Sequence, residues 1–140
     1  MGKQDQVELI LRFEFCADHA LVEYEEQHTH LWKVTCGIKG TPLSGRLIDM
    51  IKVRETFERP IVDLRNTFLN QNSVLRSTSA WDNPTCETLS EYFISRWKQS
   101  LEEFKALNAS LELSFVEVAI CETSGIETGA VRITLGRTKY

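Results

Sequence analysis

The stretch VELILRFEFCADH, residues 7–19, alternates along its length. Val7, Leu9, Leu11, Phe13 and Phe15 fall on one side of the chain, while Glu8, Arg12 and Glu14 fall on the other. A period of two with one apolar face specifies a strand buried on one side. HLWKVTCGIKG (30–40) has the same character and predicts a second strand. GTPLSG (40–45) supplies turn residues, and RLIDM (46–50) adds a short extended piece. MIKVRETFERPI (50–61) reads as a short helix that Pro60 ends, because a prolyl ring removes a helix donor and crowds the preceding turn.

Residues 71–82, QNSVLRSTSAWD, are polar and irregular and are expected to form a loop. A helix start follows, with Asn83 as N-cap, Pro84 at the first helical position and Glu87 in the first turn. Leu89, Phe93, Trp97, Leu101 and Phe104 recur at spacings of four and three, flanked by Ile94 and Leu107. That spacing describes an amphipathic helix of about twenty residues whose aromatic stripe is core against a sheet. SLELSFVEVAICET (110–123) and ETGAVRITLG (127–136) close the chain as two strands about a turn at Ser124-Gly125. The order β-β-α-α-β-β, with antiparallel hairpins and helices on one face, makes an α+β fold in one domain over residues 1–140. Sheets of this kind carry unpaired edges. A homo-oligomer that closes the sheets into a barrel is therefore expected.

The 140 residues are 42% apolar and 26% charged, with a net charge of −4, which is the balance of a soluble globular chain. No basic block or stripe points to nucleic acid or a membrane surface, and no apolar run is long enough to span a bilayer. The polar start MGKQDQ lacks the apolar segment of a signal peptide. A soluble cytoplasmic protein is expected. Cys16, Cys36, Cys86 and Cys121 are scattered without a C-x-x-C pair, so reduced and mostly buried thiols are expected.

All three histidines, His19, His28 and His30, lie within residues 19–30. His28 and His30 share a strand face, and a hairpin brings His19 alongside them. Three neutral imidazoles converging from adjacent strands suit a zinc site with its fourth position open to water or a substrate oxygen.

The chain resembles the 6-pyruvoyl-tetrahydropterin synthase / 6-carboxytetrahydropterin synthase family. The resemblance is carried by F-x-F-x-A-x-H (13–19), H-T-H (28–30), G-R-L-I-D-M (45–50), F-L-N (68–70), N-P-T-C-E (83–87) and V-E-V-A-I-C-E-T (116–123). It implies the tunnelling fold, in which three copies close a barrel and two trimers stack into a hexamer. It implies Zn2+ on His19, His28 and His30, and a small-molecule pterin as substrate. Thr29 stands where the family usually has Gly, a change that suits strand propensity but stands to crowd whatever approaches the metal. The family's pterin anchor corresponds to Glu122, a two-point acceptor for the N–H and amino group of a pterin edge. Thr85 and Thr123 fall in stretches that resemble the family's pterin-pocket motifs.

The proton-transfer residues depart from the family pattern. The positions of the usual Cys read Tyr24 and Val22, and Cys16 is outside that slot. The usual Asp-His pair reads Arg65 and Asn66, unless a shift of register places Asp63 in the Asp slot. In one variant of the family, Glu replaces the Cys as E-x-x-H-G-H, and Glu25 occupies that place. That variant resembles an aldolase-like enzyme that leaves a 6-hydroxymethyl pterin. A Glu beside a bound substrate diol serves as a general base if burial raises its pKa, whereas Glu23, Glu25 and Glu26 also read as a solvated acidic loop. Asp49 leans towards the carboxytetrahydropterin branch of queuosine-type biosynthesis, and the missing Cys and Asp-His lean away from it. Two classes follow: a zinc-dependent pterin-processing lyase using Glu25 or Asp63, or a relative that binds a pterin or purine-like ligand without turning it over.

Overall fold

The computed structural model describes residues 5–21, 26–122 and 124–136. Strands β1 (Val7–His19) and β2 (His28–Gly40) form one antiparallel hairpin, and β3 (Glu112–Cys121) and β4 (Glu127–Thr134) form another. Between them lie helices α1 (Met50–Leu64) and α2 (Cys86–Lys105). β2 pairs antiparallel with β3, so the four strands make one sheet in the order β1-β2-β3-β4. The strand read in residues 7–19 is realised over that whole span, and its alternation from Leu11 onward, with Leu11, Phe13, Phe15, Ala17 and His19 buried on one face; Val7 is exposed.

That face meets the helices. Trp97 of α2 stacks on Phe57 of α1 at 5.4 Å between ring centroids and on Phe93 at 4.9 Å, and it reaches Phe13 of β1 at 5.7 Å. Its indole Nε1–H donates to the Phe57 carbonyl at 2.9 Å, so the largest core side chain leaves no buried donor unpaired. The stripe Leu89, Phe93, Trp97, Leu101 and Phe104 is buried as expected, whereas Leu107 lies past the helix end and is exposed. The ladder shifts register at Gly37, opposite Ser114 and Phe115. A Cβ at Gly37 would run into the side chains of Ser114, Phe115 and Glu8, so a larger residue at the bulge would have to displace them.

Three boundaries differ from the sequence reading. Pro60 does not end α1: it lies inside the helix, which continues to Leu64. A single lost helix bond is outweighed because Val53, Phe57, Ile61 and Leu64 continue one buried stripe through the proline, whose ring is itself buried. The N-cap of α2 is Thr85, not Asn83, and Pro84 precedes the cap instead of opening the helix. Thr85 Oγ1 accepts from the Thr88 N–H at 3.1 Å while Thr88 Oγ1 accepts from the Thr85 N–H at 2.9 Å. β2 begins at His28, two residues before the predicted strand, because His28 pairs with the last residue of β1. The predicted loop 71–82 contains a 3₁₀ turn at Ser73–Leu75, following one at Leu69–Gln71, and is anchored by buried Leu75 and Ala80. The extended piece at residues 46–50 reduces to a single bridge between Leu43 and Arg46, and Asp49 caps α1 by accepting from the N–H groups of Ile51 and Lys52.

One flank of the sheet is stitched to the segment after α1. Asn66 N–H donates to the Cys16 carbonyl at 2.7 Å, and Asp18 N–H donates to the Thr67 carbonyl at 2.9 Å. Arg54 Nη1 covers the Arg12 carbonyl at 2.9 Å. These contacts occupy edge groups of β1 that would otherwise be open to another strand.

Candidate metal centre

The histidines meet where the β1–β2 ladder ends. His19 and His28 are direct cross-strand partners, and His30 is two residues along β2 on the same face. Their ring centroids lie 4.7, 5.0 and 4.5 Å apart, with planes inclined at 73° to 84°. One ligand nitrogen from each lies within 4.8 Å of the others. Trp32, fully buried, sits next along β2 and holds its ring 5.0 Å from His19 and 6.1 Å from His30, which makes an apolar floor.

Each ring is oriented by a backbone carbonyl. The Nδ1–H of His19 donates to Pro84 O at 3.0 Å, that of His28 to Glu26 O at 2.7 Å, and that of His30 to Cys121 O at 3.2 Å. A carbonyl only accepts, so each Nδ1 carries a proton, and a ring without a second proton presents Nε2 as its electron-pair donor. The Nε2 atoms of His19 and His28 are 3.1 Å apart. At that separation the two nitrogens share either a proton, as a hydrogen bond, or a metal ion. Zinc–nitrogen bonds of about 2.0–2.1 Å in a tetrahedron place two ligand nitrogens about 3.3 Å apart. The donor set and its carbonyl outer shell therefore fit a zinc ion held by three imidazoles.

The other expected site residues fall in different places. Thr85 follows Pro84, whose carbonyl orients His19, but its hydroxyl is engaged in capping α2. Glu122 follows Cys121, whose carbonyl orients His30; it is exposed and opens a turn in which its N–H donates to Ile126 O at 2.8 Å. Gly125 completes that turn with φ of 95°. Asp63 is exposed in the last turn of α1, where its carbonyl accepts from Asn72 Nδ2 at 2.9 Å. Among the described residues, the convergent cluster of possible ligands is His19, His28 and His30, and Asp63 is not part of it. Glu25 and Thr123 lie outside the described residues, as do Val22 and Tyr24.

Thr29 does not crowd the metal side. Neighbouring strand residues point to opposite faces, and Thr29 Oγ1 donates to Asp18 at 2.6 Å behind the histidines. Cys16 is exposed on that same far face. Burial, then Glu87 and Cys121, push the Cys86 thiol up to about 11, and burial also raises Cys36 and Cys121. These three thiols are protonated at neutral pH and are poor nucleophiles.

The residues that sequence reasoning missed are Pro84, Cys121 and Glu26, whose carbonyls accept from the three imidazoles, and Asn70. A backbone carbonyl has no side-chain signature, so only the fold reveals the first three. Asn70 had a signal, a carboxamide in the F-L-N stretch. Its Oδ1 accepts from Ala20 N–H at 2.9 Å and its Nδ2 donates to Ala20 O at 2.7 Å, which pins the residue after His19.

An α+β sheet with three convergent imidazoles at a hairpin end defines a class of candidate metalloprotein. The family described as 6-pyruvoyl tetrahydropterin synthase matches residues 8–128, and the chain belongs to that family. Solved structures are similar across nearly the whole chain. A Caenorhabditis elegans 6-pyruvoyl tetrahydropterin synthase superposes with a TM-score of 0.69 at 14% identity, covering 97% of this chain and 100% of that one. An uncharacterized Wolinella succinogenes protein gives a TM-score of 0.69 at 11% identity, covering 94% and 99%. A Plasmodium vivax 6-pyruvoyltetrahydropterin synthase, in a variant with a catalytic glutamate replaced by alanine, gives 0.66 at 14% identity, covering 94% and 100%. At these identities the likeness shows the fold. No curated protein sequence matches the chain. No helix among the described residues is long and apolar enough to cross a membrane.

Proposed function

We propose that the protein is a zinc-dependent pterin-processing lyase acting on dihydroneopterin triphosphate or a related pterin. Family membership gives the chemistry, and one observation carries the assignment to this chain. Three imidazoles, each with Nδ1 fixed on a carbonyl, converge on one point. A zinc ion bound there supplies Lewis-acid polarisation of a substrate hydroxyl or carbonyl oxygen. His19, His28 and His30 hold it, and Trp32 limits water behind it. Glu122 anchors the pterin edge, with Thr85 and Thr123 bordering the pocket, and Glu25 or Asp63 transfers the proton.

A second reading is an aldolase-like reaction that cleaves the substrate side chain to leave 6-hydroxymethyl-dihydropterin. It is favoured by Glu25 in the place of the family's Cys, and by the Plasmodium vivax relative, whose replaced catalytic residue is a glutamate.

Working copies associate as trimers or hexamers through sheet edges, and residues 1–140 act as one domain. Incubation of the zinc-loaded protein with dihydroneopterin triphosphate tests the function. Released triphosphate with a 6-pyruvoyl or 6-carboxy product supports the first reading, and a released aldehyde with a 6-hydroxymethyl product supports the second. Tight pterin binding without turnover, unchanged by Glu25→Ala, would refute both and leave a binding protein.

A further inference from the structure

We infer that Asp18 is the positioning residue of the three-histidine centre, acting through Thr29 and Gln27 from the opposite face of the sheet. The inference rests on reading the histidine cluster as a metal site. Asp18 and Thr29 form the rung of the ladder next to His19 and His28. The Asp18 carboxylate accepts from Thr29 Oγ1 at 2.6 Å and from Gln27 Nε2 at 2.8 Å. Those two donors flank His28, and Asp18 itself precedes His19. One carboxylate therefore fastens both sides of the last rung, where a hairpin end otherwise frays.

The same residue is anchored from a third direction. Asp18 N–H donates to Thr67 O at 2.9 Å, and the Asn70 carboxamide holds both backbone groups of Ala20. His19 is thus bracketed on both sides by residues tied to the segment after α1. Strand alternation puts the Asp18 carboxylate behind the sheet, so it does not supply a fourth ligand. Its work is to keep two rings, contributed by separate strands, at the separation one ion requires. The hydroxyl of Thr29 is essential to this clamp, and a residue of the same shape without it breaks the link.

The test uses the full chain stripped of metal, titrated with zinc in competition with a chromophoric chelator and with cobalt(II) to read coordination geometry. Thr29→Val and Asp18→Ala each weaken zinc binding by about tenfold, the lower end of the range for outer-shell changes. They also reduce the cobalt absorption that marks four-coordinate geometry. Thr29→Ser restores both, and the thermal midpoint of the metal-free Thr29→Val chain stays close to wild type. Wild-type affinity in Thr29→Val and Asp18→Ala, alongside lost binding in His28→Ala, would overturn this inference and leave the metal site standing. An affinity loss that Ser does not rescue, matched by a lower metal-free midpoint, would also overturn it. A wild-type chain that binds neither ion would remove the metal reading and this inference together.

Discussion

His19 and His28 face each other across the last rung of the β1–β2 ladder with their Nε2 atoms 3.1 Å apart. Their far nitrogens are both committed to carbonyls, on Pro84 and Glu26. The separation follows from sheet pairing and from the loop that ends at α2, so residues distant in sequence set the geometry of one site.

The start of α2 ties stability to the site. Thr85→Ala removes the cap hydroxyl and is expected to cost about 1 kcal/mol in denaturant unfolding. Thr85→Ser restores that stability. A pterin-contact role for Thr85 is read separately, as weaker pterin binding in Thr85→Ala than its loss of stability explains.

Asn70 is nearly buried and makes two hydrogen bonds to the backbone of Ala20. Asn70→Ala leaves both half-buried groups without that partner, at a cost of about 1 kcal/mol each. Urea unfolding of the metal-free chain should show the loss. Asn70→Asp keeps the acceptor but not the donor, and an intermediate midpoint is expected.

Trp97 joins β1, α1 and α2 through three ring contacts and one hydrogen bond. Trp97→Ala is expected to destabilise the fold by about 3–5 kcal/mol. Trp97→Phe keeps part of the ring packing but leaves a smaller cavity and loses the Nε1–H donor, so calorimetry should place it between wild type and Trp97→Ala.

Thiol labelling follows burial. Cys16 is exposed and reacts first with iodoacetamide in the native protein, as read by mass spectrometry. Cys86, with its thiol pushed up to about 11, is mostly protonated at pH 8 and reacts slowly. Raising the pH towards that value increases its thiolate fraction and its rate. Cys36 and Cys121 are buried and label only after unfolding.

Much of the fold was legible because single residues repeat a pattern. The alternation in β1 and the stripe from Leu89 to Phe104 each reflect one buried face, although in β1 the buried face begins at Leu11 and Val7 is exposed. Pro60 misled because a local helix rule was weighed without Ile61 and Leu64, whose burial carries α1 past it. The N-cap was misplaced because Asn83 and Thr85 are both capping residues, and only the reciprocal bond with Thr88 distinguishes them. At the site, the three histidines were legible as side chains. Their orienting carbonyls were not, and neither was Asp18, whose role depends on register and on which face Thr29 takes.

The central claim is a metal centre on His19, His28 and His30. Metal analysis of the purified chain, reconstituted with zinc and then dialysed, tests it most directly. About one zinc per chain is expected, as a single site with three protein ligands requires, and it should be lost in His28→Ala. A wild-type chain that retains no zinc after reconstitution would contradict the account.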